Sequence, residues 1–152
     1  MLKFGLHTPL AIFCVIVTLS ASAHGNKEHN EDIKYRTNIM SIIGGHMGAI
    51  AAIVKGKVPY NEELVYHAQG LAAAAPKTLP AFETKATSDN SSALPVIWVQ
   101  WPEFEKAALQ LEQTTAKFST AAAAGNMADI GAALGDVGKS CKGCHDDFTK
   151  EH

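Results

Sequence analysis

Near the C-terminus the sequence reads Cys141-Lys-Gly-Cys-His145, the one place in 152 residues where residue types and spacing could do chemistry as a unit. The two thiols stand three positions apart and the imidazole four after the first, so on a helix all three lie on one side of consecutive turns. Three chemistries use such a set. A redox disulfide suits an oxidising compartment, but the pair lies at the far end of the chain, no alternation of strand and helix precedes it, and a histidine follows at once. A zinc site needs two further ligands, and the remaining histidines are scattered. C-x-x-C-H is also the attachment signature of a c-type haem. On that reading one haem c is held covalently through thioethers at Cys141 and Cys144, His145 gives the proximal nitrogen to iron, and Gly143 leaves the ring uncrowded.

Cysteine usage and the N-terminus agree with export. The third cysteine, Cys14, sits in an apolar run, Leu10 to Val17, that follows Lys3 and precedes Ala21-Ser22-Ala23. A basic start, an apolar segment and an A-x-A site form a secretory signal peptide, with cleavage expected after Ala23 to leave a mature domain of 24–152. Eight apolar residues with Thr18 and Leu19 reach only half of the roughly 20 needed for an uncleaved anchor. Bulky Ile12 and Phe13 before Cys14 disfavour lipid attachment there. Thirteen basic against 15 acidic residues, net charge −2, exclude a neutraliser of nucleic-acid backbone, and 47% hydrophobic residues exclude a disordered chain.

The elements that must position the motif read as helices. Glycines and prolines divide the mature chain into four stretches, none with sustained period-2 alternation. The first, from about Asp32 to Lys55, carries Ile39, Met40, Ile43, Met47, Ile50, Ala51 and Val54 at helical spacing, with Gly56 placed to close it. The second runs from about Glu62 to Ala75, with Asn61 as its cap and Pro76 and Pro80 stopping continuation. A long connection from Pro76 to about Pro95 is expected to contain a short turn of helix or to cover something. The third begins near Trp101-Pro102 and ends by Ala124 before Gly125. Asn126 with Asp129 resembles a capping pair for the fourth, which presents Ile130, Val137, Cys141, Cys144, His145 and Phe148. Four amphipathic helices with three connections predict an all-α fold, an antiparallel four-helix bundle.

Of the remaining residues, Trp98 and Trp101 are expected to pack the connection against the bundle. Gly44, Gly45 and Gly48 would admit a neighbouring helix and so suggest a dimer seam along the first helix, with His46 at the surface or in that contact. His24, His29, His67 and His152 read as solvated.

Over nearly its whole mature length the chain resembles the cytochrome c′ family, itself a standard example of the four-helix bundle. The resemblance rests on Cys141-Lys-Gly-Cys-His-Asp-Asp-Phe148 near the C-terminus, Tyr35-Arg36 with Met40, Val54 to Tyr60, Ile97-Trp98, and Asp136 to Ser140. It implies a periplasmic homodimer, free of membrane once the signal is removed, with five-coordinate high-spin iron. Such a protein binds NO and CO and exchanges one electron with redox partner proteins. Met40 would shield the sixth position, with Phe82 as a second residue of that distal side. The related low-spin cytochromes c556 instead use a methionine of the first helix as sixth ligand, so both states of Met40 stay open. Neither Met40 nor Phe82 supplies the polar base or guanidinium of a peroxidase, so no enzymatic activity is expected. Arg36, one turn from Met40, would either reach a haem propionate or stand exposed without a partner. One position departs from the family: four residues after the haem histidine a basic residue is usual, and here it is Thr149 followed by Lys150, which puts proximal NO chemistry in doubt.

Overall fold

The computed structural model describes the backbone of residues 25–59 and 61–150, and side chains from residue 31 onward within those ranges. The signal peptide expected over 1–23, the expected solvation of His24, His29 and His152, and Tyr60 lie outside the described side chains. Four long helices form the body: α1 (Gly25–Val54), α2 (Leu64–Ala74), α4 (Trp101–Ala124) and α5 (Met127–Phe148), with a short α3 (Thr78–Ala81) in the connection between α2 and α4. Among the described residues there is no strand, only an isolated bridge between Ala93 and Thr149.

Local chemistry sets the helix ends. Gly56, at φ +64°, closes α1: its N–H donates to the Ile53 carbonyl and the Lys57 N–H to that of Ala52, the paired bonds of a left-handed C-terminal glycine. Gly125 ends α4 in the same conformation at φ +77°. The Asn126 side chain then caps α5 by accepting from the N–H groups of Ala128 and Asp129. Asn61 does not cap α2. It opens a 3-10 turn, Asn61–Glu63, that leads into α2 without a side-chain cap. α2 ends at Ala74, as expected before the prolines, and the chain goes on in short helical pieces. Pro76 lies in a 3-10 turn, Ala75–Lys77, and Pro80 in α3, both within a first turn where the missing N–H has no partner to lose.

The apolar stripes meet as their spacing requires. Ile39, Ile43 and Ile50 of α1, Leu64, Ala68 and Leu71 of α2, Phe104, Leu111 and Phe118 of α4, and Ile130, Val137 and Phe148 of α5 are buried in one cluster. The α1 stripe is wider than the periodicity indicates, since Ile53 is buried too. The contacts run α1 to α2, α2 to α4 and α4 to α5, whereas α1 and α5 scarcely touch. One seam of the bundle is therefore open.

Glycine has a packing role at a position the sequence did not single out. A Cβ on Gly70 of α2 would collide with the His46 ring, so the bare backbone of α2 seats that ring. The His46 ring meets His67, Nδ1 to Nδ1 at 3.1 Å, which corrects the expectation of a solvated His67: both rings are half-buried between α1 and α2. Gly44, Gly45 and Gly48 face open space within the protomer.

Candidate functional site

The open seam forms a cleft of about 670 Å³, within the roughly 300–1,000 Å³ usual for small-molecule and cofactor sites. Met40, Ile43 and Met47 line it from α1, Phe82 from the end of α3, Phe104 and Leu111 from α4, and Cys141, Cys144 and His145 from α5. Five of the six candidate site residues thus border one cavity, and the sixth, Arg36, stands just behind its wall.

The attachment residues come from the last two turns of α5. Cys141 and Cys144 are half-buried and unpaired, and His145 is exposed at the mouth. Burial raises both thiol pKa values. Cys144 is pushed up to about 11 by desolvation, with further upward contributions from Cys141 and Asp147. At Cys141 desolvation outweighs a hydrogen bond that acts in the opposite sense. Burial thus favours neutral sulfur over a free thiolate, which opposes thiolate-driven disulfide exchange. Among the described residues no group of three or more His, Cys, Asp or Glu side chains is arranged to hold a metal ion. A large apolar slot with two neutral thiols and an imidazole along one edge fits a covalent haem.

Loop 89–94 clamps the end of α5. Leu94 N–H donates to the Phe148 carbonyl, and Lys150 N–H to that of Ser92. The Thr149 hydroxyl turns back to the His145 carbonyl at 2.8 Å, and Lys150 Nζ reaches the Asp89 carbonyl at 2.9 Å. Thr149 is short and its hydroxyl is occupied, and the neighbouring positive charge is held by the loop.

Arg36 is 2% exposed, which excludes the reading of a solvated, partnerless arginine. Its Nη2 donates to the Ala86 carbonyl at 2.8 Å and to Ser91 Oγ at 2.9 Å. The guanidinium carbon stands 5.3 Å from the ring centroids of both Phe82 and Trp98. Trp98 is fixed by its Nε1–H donating to the Phe82 carbonyl at 2.8 Å, which ties the connection to the bundle as expected. Trp101 stacks near Phe104 at 5.6 Å between centroids. Burial lowers the Arg36 pKa and Asp32, one turn earlier, opposes that shift. No carboxylate forms an ion pair with Arg36 among the described residues, and its Nη1 has no hydrogen-bond partner. A buried cation with a free donor beside an apolar cofactor slot suits a ligand that carries an anionic group.

Among the described residues the other buried side-chain atom without a partner is Oγ1 of Thr78, a residue that borders the same cleft. Sequence reasoning missed Thr78, because a threonine between two prolines looks like part of a loop. The same reasoning missed Ser91, since nothing local marks a loop serine as the acceptor for an arginine 55 residues earlier.

A sequence profile described as "Cytochrome C'" matches residues 31–149. The chain is 36% identical to cytochrome c′ of Pararhodospirillum photometricum over 120 residues, covering 78% of this chain and 95% of that protein. It is 32% identical to cytochrome c-556 of Agrobacterium tumefaciens strain II Chrys, covering 77% and 95% respectively. Its fold superposes with a TM-score of 0.74 on a ferrous variant of cytochrome c prime from Alcaligenes xylosoxidans with bound NO, at 30% identity and covering 82% and 97% of the two chains.

Proposed function

The chain belongs to the cytochrome c′ family and so carries one covalent haem c, through Cys141 and Cys144; from this we propose that it is a periplasmic, five-coordinate haem protein that binds NO and CO and carries one electron. Bound haem supplies a one-electron couple and an iron position open to a small ligand. The observation that carries the reading is the apolar wall opposite α5, where Met40 and Phe82 border the cleft.

His145, in the last turn of α5, would give its imidazole nitrogen to the iron of a bound haem. Met40, half-buried on α1 and bordering the cleft across from α5, would keep bulky groups and water from a bound haem while its flexible side chain leaves room for a diatomic. Phe82 is fixed by its ring contact with Phe104 at 4.9 Å and narrows the same space. Anionic ligands must shed hydration to enter and are disfavoured, whereas small neutral gases are not. Arg36, behind the cleft wall, would meet a haem propionate through Nη1, its one donor nitrogen without a partner, once the propionate reaches it. Membership of the cytochrome c′ family supports a carrier and gas binder. Tyr35 and Ile42 on α1 and Tyr66 on α2 are exposed apolar groups near the glycine face, which supports self-association as a homodimer.

The likeness to a cytochrome c-556 favours a second reading, a low-spin electron carrier in which the Met40 sulfur ligates iron. The absorption spectrum of the exported protein in both oxidation states distinguishes them. A broad ferrous visible envelope is expected. Sharp ferrous bands with a ferric methionine–iron band in the far red would overturn the five-coordinate assignment. Met40→Ala is expected to speed CO binding and leave the resting spin state unchanged; conversion from low to high spin would establish ligation.

A further inference from the structure

Thr78 opens α3 and is 4% exposed, yet its hydroxyl has no partner. Buried polar side chains are normally hydrogen-bonded. The contrast within this protein is sharper still. Thr37, Thr114, Thr115, Thr120 and Thr149 each donate to the carbonyl four residues earlier, at 2.8–3.1 Å. Those hydroxyls are satisfied by their own helix. Thr78 follows a 3-10 turn, so its helix supplies no continuous preceding turn, and the backbone N–H of Thr78 already uses the Ala75 carbonyl.

The location gives the free hydroxyl a use. Thr78 borders the cleft and stands one helical turn before Phe82, on the element that packs against α1 and not on α5, which bears the cysteines and His145. It therefore belongs to the same wall as Met40 and Phe82. The hydroxyl oxygen is closed off from the cleft in this conformation, so a χ1 rotation of Thr78 must carry it to the cavity surface, where its proton can turn to an acceptor that arrives there.

We propose that Thr78 Oγ1 is the hydrogen-bond donor of the distal wall, and that its acceptor is the outer atom of a diatomic ligand held in the cleft. This rests on the gas-binding reading. The wall then combines apolar exclusion by Met40 and Phe82 with one polar contact that retains a ligand after entry.

The test uses the ferrous haem-bearing protein with CO as probe, reading the C–O stretching frequency and the CO release rate in wild type, Thr78→Val and Thr78→Ser. Valine keeps the shape without the hydroxyl, and serine keeps the hydroxyl. Thr78→Val should raise the C–O frequency and speed release by about two- to tenfold, the loss expected for one neutral hydrogen bond. Thr78→Ser should stay near wild type. Identical frequencies and rates in all three would overturn the proposal, and would also result if the hydroxyl served a propionate. If the valine variant fails to fold, Thr78→Ala takes its place. If wild type takes up no CO, the five-coordinate reading fails by itself. The same comparison in a Met40→Ala background, with the site opened, then decides Thr78.

Discussion

The two ends of this bundle are built from the same helices with the same period, yet one end is closed and the other is open. Near the Gly125 turn, α4 and α5 bury Phe118, Ile130 and Val137, and α1 and α2 contribute Ile50 and Leu71, all at most 1% exposed. Toward the C-terminus of α5 the inward positions continue at Cys141 and Cys144, along the seam where α1 and α5 scarcely touch. Side-chain volume changes there, not periodicity. Small thiols replace large aliphatic groups for about two turns, and Phe148 then closes the far side against Phe104, with ring centroids 5.3 Å apart. A haem site in a helical bundle is thus a gap in an otherwise continuous core stripe, bounded by full-sized residues at both limits.

That comparison predicts that the closed end carries stability without setting the state of the iron. Phe118→Ala, at a fully buried position, should cost about 3–5 kcal/mol of unfolding free energy. Urea unfolding measures the loss, and the visible spectrum of the folded variant should match wild type. A changed spin state in the folded Phe118→Ala protein would break the separation between the ends.

The open end should show the converse coupling through Arg36. Arg36→Gln loses the charge-assisted bonds to the Ala86 carbonyl and Ser91, a loss of roughly 1.5–3 kcal/mol. It also removes a buried positive charge whose free donor is assigned to a propionate. Loss of that charge makes the ferric state easier to reach, so the reduction potential should fall, as redox titration would record. An unchanged potential with reduced stability would make Arg36 a brace for loop 86–91 alone.

Much of this arrangement is legible in the sequence, because it depends on local features. The C-x-x-C-H motif gives the attachment, Gly56 and Gly125 the helix ends, and the three- and four-residue recurrence the bundle faces. Asn61 was misleading, since a good capping residue has no effect where the backbone takes a 3-10 path. The prolines marked the end of α2 at Ala74, although a proline in a first turn also let short helical pieces follow. What the sequence could not supply was pairing across the fold. Whether Arg36 is exposed or buried depends on where the connection after α3 lies, and Gly70 matters only once His46 of another helix is set against it.

The smallest effect concerns that His46 contact, where α1 meets α2. Burial lowers the His46 pKa from its ordinary value, and the neighbouring His67 ring adds to the shift. The folded protein therefore favours the neutral ring, while the unfolded chain takes up a proton near the ordinary value of 6.5. A group with a depressed folded pKa contributes stability that is present above the unfolded value and is lost as pH falls below it toward the folded one. The urea midpoint should accordingly decline slightly between about pH 7.5 and about pH 5, and His46→Gln should flatten that part of the dependence. Half-burial leaves the ring partly solvated, so the change should be modest. Because the imidazole pair is not among the residues that border the cleft, the visible spectrum should stay constant across the same pH range. A spectral transition that follows the urea midpoint in wild type and disappears in His46→Gln would show that the α1–α2 contact and the iron site are coupled, and that the open end is not independent of the packing beside it.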